Sequence, residues 1–271
     1  MIKLNYIFML FFSIFLLSCS NNELNSNINK ISLNQQKEVI IDSNTPKIYY
    51  LGLGLWGNGE TWSENDVIDL ESVFREIYHN REFKSYIFSN KGTETKPSIP
   101  FFSEKKIRIV IKKINHSVRE NDLIIIAISS HGFPGGINYR VGVMPSMTLT
   151  GSKIQEIFEP IKQNNVLFII SSCYSGSLIQ NLRGKNSIVF TAASANNPSF
   201  GCDKDSENSW FIESLKESYY SDQFILKRFS LKKWFNETKN IVKNKEESYG
   251  YTYSSPQIFI GKNVNPFVFL L

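Results

Sequence analysis

Two short apolar runs, Leu123–Ile128 and Val166–Ile170, constrain the fold of this 271-residue chain more than any other feature. Neither alternates polar with apolar residues, so neither suits a strand with one face in water. A near-continuous apolar strand belongs in a parallel sheet covered on both faces. Each run stops abruptly in small polar residues. The first ends in Ser129-Ser130-His131-Gly132, the second in Ser171-Ser172-Cys173-Tyr174-Ser175-Gly176. Open α/β sheets bind ligands at the C-terminal edge of their strands. Two strands therefore deliver an imidazole and a thiol to one edge, an arrangement suited to nucleophilic catalysis. The expectation is a cysteine hydrolase acting on peptides.

The rest of the chain alternates in the same way. Strands are predicted at Ile48–Leu53, Ser85–Phe88, Ser187–Ala192 and Gln257–Ile260. Between them run helical patterns. Ser63-Glu64-Asn65-Asp66 resembles a capping box, followed by Val67, Leu70, Phe74 and Ile77. Ile107, Val110, Ile111, Ile114 and Val118 form a second stripe, and Ser152 with Gln155 opens a third helix. Trp210–Tyr219 and Leu231–Val242 complete the set. This order predicts an α/β three-layer sandwich, a mostly parallel sheet with helices on both faces, filling one domain over 47–271.

The first residues read differently. Lys3 precedes an apolar stretch from Tyr6 to Leu17, too short for a comfortable membrane span. Leu16-Leu17-Ser18-Cys19 follows. A positive start, a short apolar core and a small residue describe a secretory signal, and the ending resembles a bacterial lipobox. Residues 1–18 are thus expected to be a lipoprotein signal peptide, cleaved before a lipidated Cys19. Residues 19–46, rich in Asn, Ser, Lys and Gln, read as a flexible tether. The expected location is the bacterial cell envelope, lipid-anchored outside the cytoplasm. Loss of Lys3 lowers the formal charge from +5 to +4. No dense basic stripe accompanies it, so nucleic acid is not an expected partner. The expected partners are a peptide or protein substrate and the membrane.

Three histidines compete for the role of base. His79 follows a helix and His116 lies on the polar face of another, which leaves His131. A thiol nucleophile needs a lowered pKa or a neighbouring base, and acyl transfer needs donors for an oxyanion. The amides of Gly132 and Cys173 are candidates, because strand ends aim unpaired N–H groups at the site. Gly135-Gly136 reads either as a hinge after His131 or as an ordinary turn with Pro134. Cys202 reads as a small buried hydrophobe, as a rival nucleophile, or as a disulfide partner of Cys173. No Cys-x-x-Cys pair is present, and no metal or cofactor is expected.

Together these motifs resemble the legumain (asparaginyl endopeptidase) family of cysteine peptidases. Ser130-His131-Gly132 and Ser172-Cys173-Tyr174-Ser175-Gly176-Ser177 carry the resemblance. So do Thr191–Pro198 with Phe200-Gly201-Cys202, Gly57-Asn58-Gly59 and Ser255-Pro256-Gln257. The resemblance implies a caspase-like fold and a Cys173–His131 dyad, with an oxyanion hole from Gly132 and Cys173. It implies that Asn58 orients the histidine and that Ser171, Ser194 and Asp205 line the substrate pocket. Eukaryotic legumains carry an Arg in the first-strand loop and an acid two residues before the Cys. Here Thr61-Trp62-Ser63 and Ser171 stand there, so a preference for Asn is not inherited. Asp205 reads either as an acidic pocket residue or as one of three acids opening a helix.

Two other functions fit the same sequence: a transpeptidase, and a non-catalytic envelope binding lipoprotein that keeps the fold. Oligomeric state leaves no mark in the sequence.

Overall fold

The computed structural model describes residues 45–57, 59–90, 100–221 and 229–270. Its centre is a six-stranded sheet of β1 (Ile48–Gly54), β2 (Phe83–Ser89), β3 (Leu123–Ser129), β7 (Asn165–Ser171), β8 (Ser187–Thr191) and β9 (Gln257–Ile260). The spatial order is β2-β1-β3-β7-β8-β9. The first five strands are parallel and β9 is antiparallel to β8. The order of winding reverses between β1 and β3, and the crevice at such a switch point is where open α/β sheets take ligands. The expected signal peptide, the tether over 19–44 and Cys19 lie outside the described residues.

Alternate residues of each apolar strand feed two separate cores. Leu123, Ile125, Ala127, Leu167 and Ile169 point to one face, with Ile188 and Phe190. That face is covered by α1 (Trp62–Ile77), α5 (Trp210–Tyr220) and α6 (Leu231–Ser248). Ile124, Ile126, Ile128, Val166, Phe168 and Ile170 point to the other. There α2 (Glu104–Ser117), α3 (Gly151–Phe158) and the short α4 (Ile179–Leu182) close over them. The absence of polar alternation in these strands is thus the mark of a central layer with helices on both sides. A short α7 (Pro266–Phe269) ends the described chain.

The local structure departs from expectation at three points. Thr61, not Ser63, is the N-cap of α1, and its side chain makes no cap bond. Ser63 instead donates to the Trp56 carbonyl at 3.0 Å and accepts from the Trp56 N–H at 3.3 Å, which ties the β1 exit loop to the helix. α3 is capped by Thr150, whose hydroxyl accepts from the Lys153 N–H, with Ser152 bonded to the cap from inside the helix. Lastly, residues 132–150 build a small antiparallel sheet of β4 (Gly132–Phe133), β5 (Gly136–Tyr139) and β6 (Met147–Thr150). Its strands are too short for periodicity to reveal. Gly135 occupies the left-handed region (φ 86°) in the two-residue β4–β5 turn, as this hairpin requires.

Candidate active site

His131 and Cys173 each lie two residues beyond strands that end in register. Ser129 of β3 pairs with Ser171 of β7, and the Ser130 N–H donates to the Ser171 carbonyl at 3.1 Å just past the ladder. The two backbones therefore stay side by side as they leave the sheet. Gly132 closes the remaining gap. A Cβ there would lie 2.2 Å from the carbonyl oxygen of Cys173 and 2.9 Å from the Ser172 hydroxyl, so only glycine fits. Immediately after Cys173 the chain turns through Tyr174, a non-glycine residue in the left-handed region (φ 57°). Such a conformation costs about 1–3 kcal/mol. It is held by the Tyr174 N–H donating to Asn197 O and the Gly176 N–H donating to Ala193 O, 2.9 and 3.0 Å.

The thiol is half-buried and surrounded by donors. Ser199 offers its N–H at 3.4 Å and its hydroxyl at 3.8 Å, while the Cys173 S–H points to the Ser199 carbonyl at 3.4 Å. Cys202 and then Ser199 hold the Cys173 thiol below its ordinary range, against the opposing effect of burial. Cys202 moves the other way. Cys173 pushes it up, as do burial and the nearby charges of Asp203 and Asp66.

The imidazole sits between two indoles. Trp56 and Trp62 meet the His131 ring edge-on, at centroid distances of 4.4 and 5.3 Å. Burial lowers the His131 pKa, with the charges of Glu60 and Asp203 pulling it partly back. A neutral ring at neutral pH can accept a proton. The thiol's hydrogen bonds go to Ser199, and among the described residues none joins it to the imidazole. Catalytic hydrogen bonds are commonly loose before substrate binds.

Beneath the strand ends lies an acid to which the sequence assigns no role beyond a helix start. Asp66 on α1 is fully buried. It accepts from the hydroxyls of Ser129 (2.6 Å) and Ser209 (2.7 Å), the Ser209 N–H (2.9 Å) and the Asn208 amide (3.3 Å). Burial pushes its pKa up to about 7, although these four donors favour the charged form. Ser171 joins the network through its hydroxyl contact with Ser209 at 2.7 Å. The Ser171 side chain is therefore buried under the site and not displayed on an open wall. One carboxylate thus ties together α1, the ends of β3 and β7, and the loop before α5.

The other expected site residues scatter. Ser194 is half-buried in the loop after β8, where its N–H donates to Ser254 O and its hydroxyl accepts from the Asn196 N–H. Asp205 is exposed on a turn, and it is Asp203 whose charge reaches both His131 and Cys202. Asn58 lies outside the described residues. His79 and His116 are exposed and bond to carbonyls of their own helical turns. The burial of Asp66 could have been found, because it shares the inward helical stripe of Leu70 and Val73. Ser199, Trp56 and Trp62 carry no such pattern.

The model of the Peptidase C13 family matches residues 103–266, a span that includes both His131 and Cys173 and more than half of the chain. This chain belongs to the Peptidase C13 family. As a C13 member it is a cysteine peptidase of the legumain kind, a hydrolase whose substrates are peptides or proteins. Among solved structures the C13 chain is similar to caspase-1 from Spodoptera frugiperda. The TM-score is 0.51 at 12% identity, over 80% of this chain and 86% of that one. The likeness establishes a caspase-like fold. No curated protein matches the chain.

Proposed function

We propose that this C13 peptidase cleaves peptide bonds through a Cys173–His131 dyad, held by lipid on Cys19 in the cell envelope, outside the cytoplasm. His131 takes the proton of the Cys173 thiol, the resulting thiolate attacks the scissile carbonyl carbon, and the amides of Gly132 and Cys173 receive the oxyanion. His131 gives its proton to the departing amine. It then takes one from water, which attacks the thioester and frees the thiol. The observation that carries this reading is the packing of Gly132 against Cys173 at the ends of two strands in register. It is supported by the donors around the sulfur and by burial that favours a neutral imidazole. The anchor rests on Leu16-Leu17-Ser18-Cys19 and the apolar stretch before it.

Selectivity for Asn is not part of the proposal, because Trp62 is boxed against the imidazole and Ser171 is bonded beneath the site. Thiol-reactive peptide probes varied at the residue before the cleaved bond test the dyad and its specificity together. Labelling should need both Cys173 and His131 and should favour one class of side chain. Undiminished labelling and peptide cleavage by the Cys173→Ala protein would overturn the proposal. For the anchor, Cys19→Ser should move the protein from the membrane to the soluble fraction.

A further inference from the structure

We propose that Asp66 is a positioning residue of the peptidase, an inference that rests on the reading of His131 and Cys173 as the dyad. Its carboxyl ties Ser129 and Ser171 together beneath the sheet edge and so fixes the two reacting groups relative to one another. Side chains alternate along a strand. On the face toward α1, β3 presents Leu123, Ile125 and Ala127 to the core, and β7 presents Leu167 and Ile169. The next residues on that face are Ser129 and Ser171, paired in register and both buried. His131 and Cys173 follow two residues later. Each segment thus exchanges an apolar side chain for a hydroxyl just before its reacting group. Asp66 joins those hydroxyls. It accepts from Ser129 at 2.6 Å and from Ser209 at 2.7 Å, and Ser209 contacts the Ser171 hydroxyl at 2.7 Å.

The carboxyl is itself held from several sides. Asp66 lies one turn after Trp62 on the same face of α1, and Trp62 packs against the His131 ring at 5.3 Å. The bond from Ser129 therefore also fixes where α1 seats that indole. The other carboxyl oxygen accepts from the Ser209 N–H and the Asn208 amide, at 2.9 and 3.3 Å. Lys216 can only donate, and it bonds to Asn208 Oδ1 at 2.9 Å, which turns the amide N–H toward Asp66. Both carboxyl oxygens are thus used by directed donors. Burying an acid costs stability that an apolar side chain in its place would not. Apolar residues at positions 66, 129 and 171 would simply continue the core on this face. The polar joint supplies a defined geometry instead, because hydrogen bonds fix both length and direction. That definition falls where it matters most, since a displacement of about 1 Å at reacting groups costs about 10²-fold in rate.

The test is steady-state cleavage of a fluorogenic peptide by the full-length enzyme, each variant being shown to be folded by its urea unfolding curve. Asp66→Ala should lower kcat about 10²-fold and leave KM unchanged. Asp66→Asn should recover most of that loss, because its amide keeps all four contacts once the serine hydroxyls turn. Ser129→Ala should lower kcat by itself and add nothing further in the Asp66→Ala background. Trp234→Phe, altered in the core on α6, should lose stability and keep kcat. Ring proton shifts of His131, read by NMR without substrate, should move in Asp66→Ala and Ser129→Ala but not in Trp234→Phe. Wild-type kcat in folded Asp66→Ala overturns the proposal, as does Asp66→Asn as slow as Asp66→Ala, or an equal fall in Trp234→Phe. If Asp66→Ala does not fold, Ser129→Ala decides, and wild-type kcat there overturns it. Cleavage that survives Cys173→Ala sinks the dyad, and the ring shifts then decide whether Asp66 positions the histidine. Cleavage that needs Cys173 and His131 but not Asp66 removes Asp66 alone.

Discussion

The α-carbon of Gly132 packs against the carbonyl of Cys173 so closely that a single methyl group there would come within 2.2 Å of the oxygen. This contact sets the separation between the histidine loop and the cysteine turn. Gly132→Ala must force the two backbones apart, displacing one proposed oxyanion donor and the imidazole together. Loss of one oxyanion donor costs about 10²–10³ in rate. We expect kcat/KM on a fluorogenic peptide to fall by at least about that factor, with near-UV circular dichroism unchanged. Activity near the wild-type level would remove Gly132 from the mechanism.

Asp66 makes the stability of the domain depend on pH in an unusual direction. Its folded pKa is raised to about 7 by burial, well above an ordinary carboxyl. Between those values the folded state holds a proton that the unfolded state has released. Its contribution to stability therefore declines as pH rises from about 4 to 7. Carboxylates held low by lysines and arginines, such as Glu104 and Glu82, act in the opposite sense. The difference between wild type and Asp66→Asn isolates the buried acid. Urea unfolding at several pH values should show wild type losing stability relative to the variant over that window. A constant difference would contradict the burial argument.

His131 is expected to titrate below the usual histidine range, because burial outweighs the attraction of Glu60 and Asp203. Removing either negative charge should lower its pKa further. Ring proton shifts of His131 followed by NMR should therefore move to lower pH in Glu60→Gln and in Asp203→Asn. An upward shift in both would mean that these acids do not act on the ring through charge.

Trp234 anchors the core on the side of α6. It is fully buried, meets Phe74 edge-on at 5.7 Å, and donates from its indole to Leu215 O at 2.8 Å. Trp234→Ala should cost about 3–5 kcal/mol, read as a lower midpoint of urea unfolding. Trp234→Phe keeps most of the apolar volume but leaves the Leu215 carbonyl without that donor, so it should cost less. Equal losses in the two variants would show that packing volume is not what Trp234 supplies.

Much of the fold was legible because burial leaves a periodic mark. Leu123–Ile128 and Val166–Ile170 could only be inner strands, and the stripes of α2 and α6 declared their inward faces. The elements that escaped notice have no period to read. β4, with Gly132 and Phe133, is two residues long and owes its place to a turn at Gly135. Ser63 follows the pattern of a cap, yet its hydroxyl is taken by Trp56, a partner that exists only once the β1 exit loop folds back. The candidate site divides in the same way. A thiol and an imidazole after apolar runs are visible to local reasoning, whereas Ser199 approaches the sulfur across a loop 26 residues away.

By itself the sequence determined that the chain builds a two-sided parallel sheet and sends His131 and Cys173 to the same edge. Strand burial and strand direction are encoded locally, in runs of apolar residues and the small polar residues that stop them. The tertiary structure alone decided the environment of those two groups. It set Ser199 on the sulfur, two indoles on the imidazole, and Asp66 under both strand ends. Proton affinity depends on which charges, donors and apolar surfaces surround a group in space. Here those neighbours come from segments far apart in the chain, so no window of sequence contains them.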